Sequence, residues 1–134
     1  MSNIVKKKQE ILNNYLEKLS KIFTLRLVIL FGSFVRGDWK EYSDIDLLIV
    51  ADELSEDVGE NYVKLKEYNI EPIAYNPNCF LKEVERPNLI LLDALQYGKV
   101  LKADEDFFRL TMNIFQRTKE KFKLRWEENK WVWY

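Results

Sequence analysis

The sequence lacks histidine altogether and has a single cysteine, Cys79, among its 134 residues. Without histidine the chain cannot form a Ser-His or Cys-His catalytic pair, or a metal centre with imidazole ligands. A single thiol cannot form a disulfide within the chain. Any catalysis must therefore rest on carboxylates, lysines, hydroxyl groups and bound ions.

Long apolar stretches are also missing. No run of eighteen apolar residues occurs, and the first ten residues, MSNIVKKKQE, lack the apolar segment of a signal peptide. We therefore expect no membrane span or secretion signal, and we expect a cytoplasmic protein. Repeats, low-complexity stretches and Pro/Gly-rich linkers are absent as well, so this length favours one domain with a real core.

The net charge of −1 conceals an uneven distribution of charged residues. Residues 1–26 carry six positive and two negative charges, residues 27–106 carry eight and seventeen, and residues 107–134 carry seven and three. An acidic centre can hold divalent cations, and basic ends can meet phosphates or an acidic partner. Solvated helix faces are the alternative interpretation of the basic ends.

Hydrophobic periodicity predicts the order of the secondary-structure elements. It predicts a helix over 3–22, a strand over 25–31, a short helical turn over 33–37, a strand over 44–50, a helix over 55–67, a strand over 69–75, a helix over 88–97, a short strand over 99–102 and a final helix from 104 to about 127. Pro72 indicates an edge or irregular position in its strand, because proline donates no ladder hydrogen bond. This order favours an α+β (α/β-like) fold in which helices flank a small mixed sheet.

Residues 1–103 are predicted to form the main domain, and residues 104–134 a helical tail that is not an independent domain. One apolar stripe of the tail should pack on the domain, namely Phe107, Leu110, Ile114 and Phe122. A second aromatic set lies outside that stripe, namely Phe108, Phe115, Trp126, Trp131, Trp133 and Tyr134. We expect this second set to close a homodimer or to receive a partner, because so much apolar surface is poorly suited to solvent.

The stretch LFGSFVRGDWKEYSDIDLLIV combines a Gly-Ser pair at the end of one strand with two aspartates at the start of the next. Side chains alternate along a strand, so Asp44 and Asp46 should share one face, roughly 6 to 7 Å apart. Two like charges held so close repel each other unless a cation neutralises them. Oxygen ligands without histidine or thiolate favour Mg²⁺ or Mn²⁺.

The Gly32-Ser33 turn supplies the complement to these carboxylates. Glycine lets the backbone approach a ligand closely, and the N–H groups of the following turn form an anion site. A phosphate-binding turn that faces a metal-binding pair describes a site for a magnesium-bound nucleoside triphosphate, in which two cations bridge the phosphates. An Asp-x-Asp at a strand start is by itself more often a solvated edge, and the Gly-Ser pair at this spacing reverses that preference.

Gly32-Ser33, ten intervening residues and Asp44-Ile45-Asp46 resemble the GS-x10-DxD signature of the DNA polymerase beta-like nucleotidyltransferase superfamily. The fuller string GSFVRGDWKEYSDIDLLIV is similar to the small, stand-alone minimal nucleotidyltransferase branch. The resemblance covers roughly residues 25–102, since ALQYGKVLKAD also looks like the closing segment of small members. It implies the nucleotidyltransferase fold.

The resemblance implies a set of catalytic carboxylates that also bind the metal. Asp44 and Asp46 match the Asp-x-Asp of the family, and a third carboxylate is expected from the neighbouring strand. Glu71 in NIEPIAY is the best match for it, with Asp52 and Glu67 next. This third carboxylate would bridge the metals or act as the base for the incoming hydroxyl group.

The resemblance also implies a set of nucleotide-binding residues. Gly32 and Ser33 would hold the β- and γ-phosphates. Arg36 would contact phosphate or fix the loop through a salt bridge. Ser43 belongs to the same nucleotide-binding loop, where it would shape the turn into the strand.

As a function, the resemblance implies transfer of AMP from ATP to a hydroxyl acceptor with release of pyrophosphate, assisted by Mg²⁺ or Mn²⁺. Small members pair with a helical HEPN-like protein in toxin–antitoxin systems, where the nucleotidyltransferase is the antitoxin. Two other classes stay open: a non-catalytic binding antitoxin, and a small-molecule (aminoglycoside-type) nucleotidyltransferase that acts as a homodimer. Neither membrane contact nor direct nucleic-acid binding is expected.

Overall fold

The computed structural model describes residues 3–128 and 130–132. They form six helices and six strands, and the mixture of both confirms the α+β class. The elements are α1 (Asn3–Ile22), β1 (Leu25–Phe31), α2 (Ser33–Arg36), β2 (Ile45–Ala51), α3 (Val58–Leu65), β3 (Ile70–Tyr75), α4 (Pro77–Val84), α5 (Leu89–Tyr97), β4 (Lys99–Ala103), α6 (Glu105–Phe122), β5 (Arg125–Glu127) and β6 (Lys130–Val132).

Four of the strands form one mixed sheet in the order β3-β2-β1-β4. β1 runs antiparallel to both β2 and β4, whereas β2 and β3 are parallel. β3 is an edge strand, as Pro72 predicted. The register places Phe31 beside Asp46 and Asp46 beside Glu71, so the end of β1 and the starts of β2 and β3 meet at one edge of the sheet.

Helices cover both faces of this sheet. On one face, α1 and α3 pack over β2 and β3, and the buried residues there include Tyr15, Leu19, Ile45, Leu47, Ile49 and Leu65. On the other face, α4, α5 and α6 pack over β1 and β2, and the buried residues include Leu27, Ile29, Leu48, Phe80, Leu91 and Phe115. β1 and β2 are therefore buried on both faces. This packing fixes the end of β1 and the start of β2, which meet at the edge described above.

Side-chain caps set the starts of several helices, and they correct two of the predictions. α3 begins at Val58 rather than 55, because the Asp57 carboxylate accepts the N–H of Glu60 at 3.1 Å. α4 was missed by the sequence analysis, although Asn76-Pro77 marks its start. The Asn76 side chain accepts the N–H of Cys79 at 2.8 Å, and Pro77 occupies the first turn.

The predicted C-terminal helix is too long. α6 ends at Phe122 rather than near 127, because Lys123 adopts the left-handed conformation with φ of 54°. The N–H of Leu124 then donates to the carbonyl of Lys119 at 2.8 Å, which closes the last turn. A short antiparallel hairpin of β5 and β6 follows, so the tail is not wholly helical.

The stripe predicted to pack α6 on the domain is partly wrong. Leu110 is 45% exposed, whereas Phe115, which was placed outside the stripe, is 1% exposed. The buried face of α6 includes two threonines, which the apolar pattern did not count. Thr111 and Thr118 bury their side chains and donate their hydroxyls to the carbonyls of Phe107 and Val84.

The aromatic residues of the hairpin fold back on the same chain. Trp126 and Trp131 lie with ring centroids 5.6 Å apart, and Tyr97 lies 5.2 Å from Trp126. Trp133 and Tyr134, which the sequence analysis also assigned to an interface, lie outside the described residues. The homodimer therefore stays a prediction.

Candidate active site

The Gly-Ser turn lies directly against the carboxylate of Asp46, the aspartate within β2. Gly32 follows β1 directly and has φ of 76° and ψ of −147°, a conformation that only glycine adopts readily. A Cβ atom on Gly32 would lie 2.2 Å from the Oδ2 atom of Asp46. Glycine is therefore required here twice, for its backbone conformation and for the close approach of the turn to the carboxylate.

Three carboxylates lie at this edge of the sheet. Asp46 and Glu71 are direct neighbours in the parallel ladder between β2 and β3, and their side chains share one face. Asp44 lies one residue before β2, which begins at Ile45 rather than at Asp44 as predicted. The three acids that the sequence analysis singled out thus come from one sheet edge.

Lys66 lies between two of these acids. Its Nζ atom is 3.3 Å from Oε2 of Glu71 and 3.9 Å from Oδ2 of Asp44. It also donates to the carbonyl of Ile70 at 2.6 Å, which ties the ammonium group to the start of β3. The sequence analysis missed this lysine, because it follows the last residue of α3 and belongs to no motif.

Burial and the neighbouring carboxylates together raise the pKa of Asp46. Burial is the largest cause, followed by repulsion from Glu71 and then from Asp44, while Arg36 lowers the pKa in part. The ionised carboxylate is therefore less favourable here than in water. A further cation beside it would relieve both the desolvation and the repulsion.

Tyr62 is a second residue that the sequence analysis missed. Its hydroxyl group donates to Oε2 of Glu71 at 3.2 Å, and this hydrogen bond is the main reason why the pKa of Tyr62 is raised. Tyr62 and Lys66 lie one helical turn apart, and the N–H of Lys66 donates to the carbonyl of Tyr62. Both side chains contact Glu71. Their spacing of four residues at the C-terminal end of a short helix places them on one face, and this spacing could have suggested a shared contact.

The remaining predicted residues lie in or beside the loop between β1 and β2. Ser33 begins the four-residue α2, whose last residue is Arg36. The Nε atom of Arg36 lies 3.4 Å from Oδ2 of Asp38. This contact is a salt bridge within the loop, the alternative to a phosphate contact for Arg36. Ser43 shapes the turn before β2: its hydroxyl accepts the N–H of Lys40 at 2.7 Å, and its carbonyl accepts Nζ of Lys8 at 2.9 Å.

The two fallback choices for the third carboxylate lie in other surroundings. Asp52 follows β2 at its opposite end, where it is hydrogen-bonded to Arg26. Glu67 pairs with Lys18 of α1. Of the three choices, Glu71 alone is the ladder neighbour of Asp46, so it is the best-placed third carboxylate.

The donor set fits a hard divalent cation in its chemistry, since carboxylate oxygens are the ligands that Mg²⁺ and Mn²⁺ prefer. Within residues 3–128 and 130–132, however, no three acidic or other ligating side chains converge closely enough to form a ready-made centre. Lys66 stands between Glu71 and Asp44 instead. Metal binding would therefore require the ammonium group to yield to the cation or to share the carboxylates with it.

Two cavities open beside the Gly-Ser turn. One, of about 350 Å³, borders Asp46, and the other, of about 330 Å³, borders Tyr97 and Trp126. Both are of a size that accepts part of a nucleotide. The residues that line both cavities are Phe31, Gly32, Arg36 and Asp93.

No helix in the described part of the chain is long and apolar enough to cross a membrane.

Comparisons with known proteins agree with the geometry. The candidate protein adenylyltransferase MJ1305 of Methanocaldococcus jannaschii is 30% identical across 81% of this chain and 79% of its own length. A chain in a toxin–antitoxin crystal structure with AMP-PNP is 23% identical and superposes with a TM-score of 0.54, covering 82% of this chain and 91% of that one.

A second solved structure, of the tri-AMPylated Shewanella oneidensis HEPN toxin in complex with MNT antitoxin, contains a chain that is 18% identical with a TM-score of 0.50, covering 88% of this chain and 92% of that one. At these identities the two structures show a shared fold. The family model for the nucleotidyltransferase domain matches residues 12–130. The chain therefore belongs to the nucleotidyltransferase domain family and is a nucleotidyltransferase enzyme.

Proposed function

We propose that this chain transfers AMP from ATP to a hydroxyl group on a helical, HEPN-like protein partner, and that it acts as the antitoxin of the pair. The observation that supports this most is the contact between Gly32 and Asp46 at the edge where Glu71 is the next residue in the ladder. Phosphate groups bound at this turn would therefore lie next to the carboxylates. The relatives include a candidate protein adenylyltransferase, and an AMPylated HEPN toxin complex shares the fold.

The proposal includes a divalent cation, Mg²⁺ or Mn²⁺, which Asp44, Asp46 and Glu71 would hold. When bound, such a cation neutralises phosphate charge and stabilises the negative charge that develops during an in-line displacement. The turn at Gly32 and Ser33 leaves room for the β- and γ-phosphates, because no side chain projects from Gly32. Arg36 lines both cavities beside the turn and supplies a protein cation to the phosphates.

In the transfer itself, the acceptor hydroxyl oxygen forms a bond to the α-phosphorus of ATP. The bond between that phosphorus and the oxygen bridging to the β-phosphate breaks, and pyrophosphate leaves. In this proposal Glu71 accepts the hydroxyl proton, which its position beside Asp46 in the ladder supports.

A second candidate is a non-catalytic antitoxin that neutralises its partner by binding alone. The position of Lys66 favours it, since an ammonium group between Glu71 and Asp44 supplies part of the charge that a metal would otherwise bring. A small-molecule nucleotidyltransferase has no comparable support among the described contacts.

The experiment is to combine the full chain with Mg²⁺, ATP and a HEPN-like protein chosen as its candidate partner, and to record the intact mass of that protein. We expect one or more AMP additions, and a loss of roughly a hundredfold in rate for Glu71→Gln, about 2.7 kcal/mol of transition-state stabilisation. Glu67→Gln is the matched control and should transfer normally. A partner that is captured without any gain in mass would support the binding-only candidate.

A further inference from the structure

The cavity lined by Tyr97 and Trp126 extends beyond the phosphate- and metal-binding residues predicted from the sequence. It has a volume of about 330 Å³ and opens beside the Gly-Ser turn, with which it shares Gly32 and Arg36. The neighbouring cavity, which shares the same residues, borders Asp46. A ligand whose phosphates lie on the turn can therefore extend into the aromatic cavity without leaving the surface.

Two half-exposed aromatic rings form a corner in this cavity. Tyr97 at the end of α5 is 45% exposed, and Trp126 of the hairpin is 40% exposed. Their centroids lie 5.2 Å apart at an interplanar angle of 57°, so one ring can present its face to a flat ligand while the other closes the side. Flat heteroaromatic rings are the ligands that gain most from such a corner.

One carboxylate in the same cavity has no role in the proposed transfer. Asp93 lines both cavities and lies four residues before Tyr97 on α5, so the two side chains share one helix face. A carboxylate only accepts hydrogen bonds, and it therefore favours a ring that carries N–H donors. The cavity thus combines a stacking surface with an acceptor for an exocyclic amino group.

We infer that this cavity is the nucleobase subsite of the nucleotidyltransferase, in which an aminopurine such as adenine stacks on Trp126 and Tyr97 and donates its amino hydrogen to Asp93. The inference rests on the proposed function, since it takes ATP as the substrate and Gly32 as the phosphate turn. It assigns the C-terminal hairpin to substrate recognition. Trp126 then determines how well a base is held, and Asp93 determines which base is held.

The test is calorimetric titration of the full chain, in Mg²⁺, with two ligands: ATP, and inorganic tripolyphosphate, which carries the phosphates without a base. Trp126→Ala should raise the Kd for ATP by about tenfold or more and leave the Kd for tripolyphosphate unchanged. Trp126→Phe should recover most of the ATP affinity, because it keeps an aromatic face. Tyr68→Ala removes an exposed aromatic residue that does not line the cavity, and it should change neither Kd.

Base choice provides a second measurement. Asp93→Asn should reduce the preference for ATP over UTP by about fivefold, because uracil presents two carbonyl groups and no amino group to the acceptor.

Equal losses of ATP and tripolyphosphate affinity in Trp126→Ala would overturn the inference, since the hairpin would then merely support the fold. The inference also fails if the unaltered chain binds both ligands equally tightly, although the proposed function would survive that result. An unaltered chain that binds neither ligand would instead contradict the proposed function, and the nucleobase subsite with it.

Discussion

The two ends of β2 carry aspartates in opposite electrostatic surroundings. At the C-terminal end, Asp52 accepts hydrogen bonds from Nε and Nη2 of Arg26, both at 2.8 Å, and Arg26 also reaches the Asp104 carboxylate at 3.2 Å. The pKa of Asp52 is lowered, chiefly by the hydrogen bonds from Arg26. At the N-terminal end, burial and repulsion from Glu71 raise the pKa of Asp46.

We infer from this difference that Asp52 is a structural carboxylate, and we propose that Asp46 is a functional one. Asp52 helps to hold β1, β2 and the start of α6 together, because Arg26 forms salt bridges with both Asp52 and Asp104. Asp46 is instead partly buried beside Glu71 and Asp44, and the burial of its charge and the repulsion from these carboxylates cost the fold free energy. Carboxylates in a cleft whose pKa is raised by burial and by neighbouring acids are typical of catalytic sites.

The largest effect should come from neutralising each aspartate in turn. Asp46→Asn should lower AMP transfer by roughly a hundredfold or more, about 2.7 kcal/mol, and leave the melting temperature unchanged or raised, because repulsion from Glu71 is relieved. Asp52→Asn should keep its transfer activity and lose a little stability, since the pair with Arg26 is about one-third exposed. The measurements are labelled-ATP transfer and thermal unfolding. If both variants lost transfer equally, the functional contrast between the two ends would disappear.

The next effect concerns the glycine at the carboxylate end. Gly32→Ala should cost about 1 to 3 kcal/mol of stability through backbone strain, and it should lower transfer more than tenfold because the new methyl group displaces the Asp46 carboxylate. Gly37→Ala is the matched control. Gly37 also has a positive φ, of 87°, but no atom lies within 4 Å of the position that an added Cβ atom would take. The Gly37→Ala variant should lose about 1 to 2 kcal/mol of stability and keep its transfer activity. The prediction is wrong if the two variants lose activity to the same degree.

A smaller effect is expected from removing the lysine that offsets the carboxylates. Lys66→Met leaves Asp44 and Glu71 without their nearest protein cation, so Mg²⁺ should bind about fivefold more tightly, the equivalent of about 1 kcal/mol. Mg²⁺ titration monitored by thermal shift measures this, with Lys64→Met as the control on the same helix. Unchanged Mg²⁺ affinity in Lys66→Met would show that the ammonium group does not compete with the cation.

The smallest effect is a pH dependence at the structural end. The pKa of Asp52 is lower in the folded chain than in the unfolded chain, so its contribution to stability is present above about pH 3.9 and is lost as the pH falls towards the folded pKa. Arg26→Met should therefore make the free energy of unfolding less sensitive to pH between about pH 5 and pH 3. Chemical unfolding at several pH values measures this slope, and an unaltered slope would remove Arg26 from the explanation.

Much of the fold and of the site follows from local patterns in the sequence. The alternation in Asp44-Ile45-Asp46 predicts two carboxylates on one face, the family resemblance adds Glu71 from NIEPIAY, and the structure places Glu71 beside Asp46. The shared face could be predicted because side chains alternate along a strand. The edge position of β3 could be predicted from Pro72, because proline donates no ladder hydrogen bond.

Other features depend on contacts between distant segments, which local patterns do not report. Lys66 and Tyr62 reach Glu71 only because α3 packs along β3. The end of α6 depends on a left-handed lysine, Lys123, where glycine would be the usual signal. Trp126 meets Tyr97 only after the hairpin folds back, so the sequence could not assign it to a cavity.

Calorimetric titration of ATP in Mg²⁺ and in EDTA, on the unaltered chain, Asp46→Asn and Asp52→Asn, tests most directly whether the carboxylate end binds the nucleotide through a divalent cation. EDTA should weaken ATP binding by tenfold or more in the unaltered chain and in Asp52→Asn. In Asp46→Asn, binding should be weak in both conditions. Equal ATP affinity in Mg²⁺ and EDTA for the unaltered chain would show that the nucleotide does not bind through a divalent cation.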